Sequence, residues 1–182
     1  IIAIGGGGPI DVAKALSVAL THKGNLLDYV TNNNSIAKEI NKSALPVIAI
    51  PTTAGSGAEV SPVSVLVDDK EKLKIGLFSK NLFPIIALID PVLYVSLPAK
   101  ATAECGLDVL SHAFDSFISP YSNLFSKSFA VQAIKTVFEN LDKAVYDGSN
   151  LVARGNMAIA SVISLISMYV GKGGATHTIG EP

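Results

Sequence analysis

The strand–loop–helix pattern at the start of the chain constrains its fold more than any other feature. Residues 1–4 (IIAI) form a β-branched apolar run typical of a buried strand, and four consecutive glycines, residues 5–8, follow it directly. Pro9 stands at a position that proline favours in the first turn of a helix, and the helical pattern continues to about Leu20. This order predicts a strand that turns through a glycine loop into a helix.

A second apolar run repeats the arrangement. Residues 45–50 (LPVIAI) are continuously apolar, which favours a parallel strand covered on both faces, and they run into the loop PTTAGSG, residues 51–57. The segments 63–67 and 73–77, separated by a charged turn, predict a hairpin. A further buried strand is predicted at residues 85–89.

The character of the chain changes between residues 90 and 98. Beyond this segment the apolar spacing is helical, with helices predicted near residues 101–118, 126–140 and 151–170. We therefore predict two domains. Residues 1–95 form part of an α/β domain with a parallel sheet and helices on both faces, and residues 96–182 form part of an all-helical domain.

Both domains are expected to be incomplete in this chain. The sequence has no initiator methionine, opens inside a strand pattern and stops at Gly180-Glu181-Pro182, just after a glycine loop. We expect further sequence on both sides.

Composition argues against several classes of protein. Apolar residues make up 49% of the 182 residues and the formal net charge is -1, so no basic surface indicates nucleic acid or a membrane. The single cysteine, Cys105, cannot form an internal disulfide, which favours the cytoplasm. The longest apolar stretch, residues 157–170, is shorter than the roughly 18–20 residues that span a bilayer, so we expect a buried helix there.

The two glycine-rich loops are candidate ligand sites. Several backbone N–H groups of the first loop, residues 5–8, meet the positive end of a helix dipole, an arrangement that suits a pyrophosphate. The loop lacks the P-loop lysine and the third glycine of the usual dinucleotide fingerprint, so a turn without a ligand remains an alternative. The second loop offers hydroxyl groups from Thr52, Thr53 and Ser56 and open backbone at Gly55 and Gly57, at the end of a buried strand. This arrangement favours one ligand shared by both loops.

The sharpest chemical signal is an Asp-x-x-x-His spacing on a predicted helix. Asp108 and His112 project from one face, where a carboxylate and an imidazole can hold a single metal ion, although a simple Asp–His hydrogen bond is the alternative. His177, on a later glycine loop, could approach the same point as a third ligand. The remaining histidine, His22, is predicted to lie in a surface turn, and Lys74 is either a cation for a cofactor or a solvated hairpin lysine.

Taken in order, these motifs resemble those of the iron-containing alcohol dehydrogenase family. The similar segments are GGGGPIDVAK (residues 5–14), PTTAGSGAEV (51–60), DP (90–91), LP (97–98) and GLDVLSHA (106–113). The resemblance implies a dinucleotide-binding α/β domain followed by a helical metal-binding domain. It implies hydride transfer between NAD(P) and an alcohol or aldehyde held at a divalent ion, Fe²⁺ or Zn²⁺.

The resemblance also assigns residues. Three of the four metal ligands of the family match Asp108, His112 and His177, and the fourth, a histidine, would fall beyond Pro182. The cofactor positions match Gly6, Gly7, Gly8, Asp11, Thr52, Thr53 and Lys74.

Three positions depart from the family pattern. Gly8 and Ala58 each replace a common serine. Glu181 stands where many members carry a second histidine, so it is a candidate proton relay and leaves simple primary-alcohol specificity in doubt.

Several related functions stay open. A glycerol or other polyol dehydrogenase, a maleylacetate reductase-like enzyme and a non-catalytic nucleotide-binding remnant share these features, whereas the threonine loop argues against a lyase resembling dehydroquinate synthase. The expected partners are a small alcohol or aldehyde and other copies of the chain, since family members commonly form homo-oligomers. No nucleic acid or membrane partner is expected.

Overall fold

The computed structural model describes residues 1–30, 37–68 and 72–172. The chain divides into two compact units. One comprises Ile1–Pro51 with Ala58–Leu88, and the other comprises Thr52–Gly57 with Ile89–Pro182. The first is an α/β unit and the second is helical, in agreement with the predicted fold class.

A small parallel sheet organises the α/β unit. Strands β1 (Ile2–Gly5), β2 (Ile48–Pro51) and β5 (Ile86–Ala87) lie in the order β1-β2-β5, with Ala3 opposite Ala49 and Ala49 opposite Ala87. Because β2 is central, both glycine-rich loops begin at the carboxyl ends of neighbouring parallel strands.

Helix α1 (Gly7–Ala19) follows β1, and small side chains let it pack closely with the sheet. The shared core consists of Ala3, Ile10, Ala13, Val47, Ala49 and Ala58. On β1 the side chains alternate, since Ala3 is buried while Ile2 and Ile4 are 66% and 61% exposed. Residues 1–4 were predicted to form a buried strand, and the face that carries Ile2 and Ile4 is exposed among the described residues.

The predicted hairpin is present. Strands β3 (Val63–Asp68) and β4 (Leu73–Phe78) pair antiparallel, with Val63 opposite Phe78. A second core in this unit contains Val18, Tyr29, Val30, Ile40, Leu77 and Leu82.

Three long helices form most of the helical unit: α2 (Ala99–Ile118), α3 (Leu124–Tyr146) and α4 (Leu151–Gly171). The Asn123 side chain accepts backbone N–H groups at the start of α3, and Asn150 does the same for α4, so each start is fixed by a capping residue. Helix α4 ends at Lys172, whose φ of 47° is left-handed. Fully buried Ala113, Ala130 and Ala133 allow the helices to approach closely.

Helix α4 is, by length and composition, the one described helix that could cross a membrane. Half of its most apolar 18-residue window is buried inside the protein. A core helix of a globular protein has the same features, so this observation is weak evidence for a membrane span.

The prediction for His22 is wrong. His22 is buried, because its ring packs edge-on against Tyr29 with ring centroids 5.5 Å apart and its Nδ1 lies 2.8 Å from the Thr21 hydroxyl. Its backbone N–H also donates to the Val18 carbonyl, 2.8 Å away, which keeps the ring next to the end of α1.

Candidate active site

The start of α1 is the first component of the candidate site. Gly6 caps the helix with backbone alone, no side chain accepts a hydrogen bond there, and Gly7 and Gly8 form the first two helical residues. A Cβ atom added at Gly8 would meet nothing within 4 Å, so the space above this turn is open. The helix therefore begins two residues before the predicted Pro9. Exposed N–H groups at such an end can bind an anion.

Asp11 and Lys14 join α1 to the hairpin. The fully buried Lys14 ammonium donates to the Val63 carbonyl at 2.7 Å and to Asp11 Oδ1 at 3.2 Å. Asp11 Oδ2 accepts the Val65 N–H at 3.2 Å, and its backbone carbonyl accepts the Ser64 hydroxyl at 2.7 Å. Asp11 is thus held on both sides of its carboxylate.

Glu59 adds a second carboxylate near this group, and this one is buried. It lies in the short 3-10 turn Ala58–Val60, immediately before β3, and is only 3% exposed. Burial raises the pKa of Glu59, and a hydrogen bond from its own backbone N–H, followed by the Lys14 cation, partly offsets that rise. Burial likewise raises the pKa of Asp11 and lowers that of Lys14, so all three groups are held away from their ordinary protonation behaviour.

Sequence reasoning assigned no role to Lys14 or Glu59. The Asp11–Lys14 spacing of three residues on a helix was an available signal for an ion pair. No comparable signal exists for Glu59, because 45 residues separate it from Lys14.

Lys74 lies on β4 opposite Val67 and is exposed. It does not belong to the group of Asp11, Lys14 and Glu59, and its assignment as a cofactor contact stays a prediction.

The loop Thr52–Gly57 is packed into the helical unit. The Ser161 hydroxyl on α4 donates to the Gly55 carbonyl at 3.0 Å, and a Cβ at Gly55 would lie 3.0 Å from Cβ of Cys105 on α2. Gly57 adopts a left-handed φ of 61°. Thr52 and Thr53 are half-buried in this loop, whose backbone is fixed from two helices.

Asp108 and His112 lie together on α2, as their spacing predicted. His112 Nε2 is 3.6 Å from Asp108 Oδ1, with the imidazole 2% and the carboxylate 36% exposed. An ion bound about 2 Å from each donor could bridge two atoms this far apart, and a carboxylate with an imidazole suits Fe²⁺ or Zn²⁺. The pair therefore fits two ligands of a divalent ion.

The other predicted residues of this centre cannot be placed. His177, the predicted third ligand, and Glu181, the candidate proton relay, lie outside the described residues. Within the described ranges, no group of three or more His, Cys, Asp or Glu side chains could hold a metal ion.

A small cavity lies beside this part of α2. Its lining comprises Ala54, Tyr94, Leu97, Thr102, Cys105, Arg154 and Met157. Burial raises the pKa of the Cys105 thiol, and the carboxylates of Asp108 and Glu104 raise it further. A thiol that resists ionisation is a poor nucleophile and a poor metal ligand, so the raised pKa does not indicate a chemical role for Cys105.

Comparison with known protein families gives two adjacent matches. Residues 1–91 match the family described as iron-containing alcohol dehydrogenase, and residues 102–182 match the C-terminal region of the Fe-containing alcohol dehydrogenase family.

Curated relatives match nearly the whole chain. It is 35% identical over 179 residues to the NAD-dependent methanol dehydrogenase of Bacillus methanolicus and 36% identical over 179 residues to the 1,3-propanediol dehydrogenase of Citrobacter freundii. Each alignment covers 98% of this chain but only 46% and 45% of the two relatives. The chain thus spans about half the length of the curated relatives it matches.

Solved structures agree with this comparison. The sulfoacetaldehyde reductase from Bifidobacterium kashiwanohense, solved in complex with NAD⁺, is 40% identical and superposes with a TM-score of 0.85. This match covers 94% of the present chain and 45% of that structure.

Proposed function

We propose, because this chain belongs to the iron-containing alcohol dehydrogenase family, that the whole protein containing it is an oxidoreductase that moves hydride between NAD and a small alcohol or aldehyde. The observation that carries the proposal is the Asp108–His112 pair, two suitable metal donors 3.6 Å apart on one helix face. The names of the relatives, which include methanol and 1,3-propanediol dehydrogenases, support a short-chain alcohol or diol as substrate.

Each component of the site has a separate task in this proposal. When bound, a divalent ion supplies Lewis-acid polarisation of the substrate oxygen. Asp108 and His112 hold that ion, together with His177. The backbone at Gly6, Gly7 and Gly8 receives the pyrophosphate at the start of α1, where N–H groups are not capped by side chains.

The remaining assigned residues orient the cofactor. Asp11, fixed by Lys14 and Val65, presents a rigid carboxylate near the same end of α1. Thr52 and Thr53 supply hydroxyl groups from a loop whose position is fixed by Ser161. Lys74 supplies a cation to the cofactor. When bound, the cofactor would supply the hydride chemistry, for which no protein nucleophile is required.

The decisive experiment removes each described metal donor in the whole protein. Asp108→Asn keeps the size of a partly exposed side chain, so folding should persist, and His112→Ala removes the buried ligand. We expect each variant to lose bound iron or zinc and to lose turnover by about 100-fold or more. Metal content is measured by elemental analysis, and turnover by NADH absorbance with small alcohols and aldehydes.

Asp142→Asn is the matched control, because Asp142 is an exposed aspartate on α3. It should retain metal and activity. Variants at Asp108 and His112 that keep both metal and full turnover would overturn the assignment. Dinucleotide binding without turnover in the unaltered protein would favour a non-catalytic nucleotide-binding module.

A further inference from the structure

Arg154 is a buried cation whose contacts with the protein are all neutral. It is 3% exposed, and its three nitrogens donate to the Gly148 carbonyl, the Thr102 hydroxyl and the Leu97 carbonyl at distances between 2.6 and 3.1 Å. Among the described residues, no carboxylate lies within 4 Å of the guanidinium. A buried charge is costly for the fold unless an opposite charge compensates it, and neutral oxygens compensate it only in part.

Two helix ends add to the positive potential around this cation. Arg154 is the fourth residue of α4, and Thr102, which accepts its N–H, is the fourth residue of α2. The first turn of a helix is the positive end of its dipole, where an anion is stabilised and a cation is not. Neither first turn contains an acidic residue. A buried guanidinium and two helix starts thus lie together without an acid to offset them.

The acidic residues close to this region in the sequence do not supply the missing charge. Glu104 on α2 and Asp147 in the turn before α4 are both exposed. Asp90 accepts the N–H of Val92 at 3.0 Å and so caps its own short turn. None of the three forms an ion pair with Arg154.

The small cavity beside α2 offers space for a counter-ion. Arg154 and Thr102 both line it, together with Cys105 and Met157, and all four belong to the helical unit. A guanidinium has five N–H groups, and acceptors are present for three of them among the described residues. The cavity has room for one particle about the size of a water molecule. A chloride ion is only slightly larger, and the flexible side chain of Met157 can adjust to it.

We propose that this cavity binds a single halide ion, chloride under ordinary conditions, as the counter-charge of Arg154 at the joint start of α2 and α4. The two guanidinium N–H groups without a protein acceptor are its donors. The Cys105 thiol, which stays protonated because burial raises its pKa, adds a weak S–H donor. A polyatomic anion is too large for this space. The site uses no residue assigned to the cofactor or to the metal, so it does not depend on the proposed function.

The test measures the thermal unfolding of the whole protein at constant ionic strength. Sodium methanesulfonate, a monovalent salt whose anion is too large for the cavity, is replaced stepwise by sodium chloride up to about 100 mM. We expect the unfolding temperature to rise by about 2–4 °C and to saturate, because the ion binds the folded state alone. Bromide should act like chloride. An unfolding temperature that does not change with chloride would overturn the proposal.

Arg154→Met identifies the residue responsible. It should abolish the rise with chloride, whereas Lys135→Met, at an exposed lysine of α3, should keep the rise in full. A rise of the same size in Arg154→Met would overturn the proposal, because the ion would then bind elsewhere.

Crystals of the unaltered protein grown in bromide decide the question even if Arg154→Met does not fold. Bromide scatters X-rays anomalously, so an anomalous peak beside the guanidinium inside the cavity would support the proposal. A water molecule at that place without anomalous signal would overturn it. A bromide peak without any effect of chloride on unfolding would also count against it, as binding at crystal concentration only.

Discussion

Gly57 and Gly8 differ in the space that is available for an added side chain. Gly57 has a φ of 61°, and a Cβ there would lie 2.6 Å from Cβ of Leu165. Gly57→Ala should lower the free energy of unfolding by about 2–3 kcal/mol, because the backbone strain and the overlap add. Thermal or denaturant unfolding measures this change.

Gly8→Ala is the matched control, since the same methyl group enters open space at the start of α1. Its effect should range from neutral to a gain of about 1 kcal/mol. Equal destabilisation by the two substitutions would contradict this explanation.

The placement of a side chain could be predicted where its contact partner lies a few residues away in the sequence. The Asp108–His112 pair follows from a four-residue helical spacing, and the structure places the two side chains together. The burial of His22 and Glu59 could not be predicted, because it depends on turns and packing, such as the edge-on contact between Tyr29 and His22, that no period in the sequence encodes. The roles of the assigned site residues stay predictions.

At the scale of elements, Arg154 connects the ends of the helices. Its guanidinium donates to the Gly148 carbonyl at 3.1 Å, to the Thr102 hydroxyl at 2.6 Å and to the Leu97 carbonyl at 2.9 Å. Burial lowers the pKa of Arg154, and no carboxylate lies within 4 Å among the described residues, so neutral oxygens alone satisfy the cation. The start of α2 and the turn before α4 therefore depend on one side chain.

Arg154→Met should lower the free energy of unfolding by about 2–3 kcal/mol, because three acceptor oxygens, one of them buried, lose their donor. Arg154→Lys should restore little of this stability, because one lysine ammonium cannot contact all three acceptor oxygens that the planar guanidinium contacts. Denaturant unfolding measures both, with exposed Lys135→Met as the control. If Arg154→Lys were as stable as the unaltered protein, a positive charge at this position would be sufficient and the geometry of the guanidinium would not matter.

The helices were predictable in type and less so at their ends. Residues 126–140 were predicted for α3, which extends over Leu124–Tyr146. Its start is fixed by the Asn123 side chain, which accepts the N–H groups of Phe125 and Ser126. A capping residue decides such an end through one side-chain rotamer, whereas apolar spacing reports only the middle of a helix.

At the scale of the molecule, the helical unit has apolar side chains on outward faces. On α3, Leu124 and Phe138 are 78% and 71% exposed, and on α2, Leu107 and Ile118 are 60% and 65% exposed. We expect the 182-residue chain alone to self-associate, because surfaces of this kind are seldom left open in monomers.

Size-exclusion chromatography with light scattering at rising concentration checks this expectation. The double variant Leu124→Lys, Phe138→Lys should reduce association without lowering the unfolding temperature, because both positions are exposed. A single species at 18.9 kDa over the whole concentration range would contradict it.

The compact units described above are interleaved along the chain, since the helical unit takes Thr52–Gly57 from between two segments of the α/β unit. Recombination between related genes that exchanged everything after Leu88 would therefore not transfer a whole unit. Helix α4 from one parent would then pack against the loop of residues 52–57 from the other parent. The Ser161 hydroxyl would have to form its hydrogen bond with the Gly55 carbonyl of that second parent. A chimera with one further junction on each side of residues 52–57, besides the junction at residue 88, takes this loop and α4 from the same parent. The hydrogen bond between them is then kept.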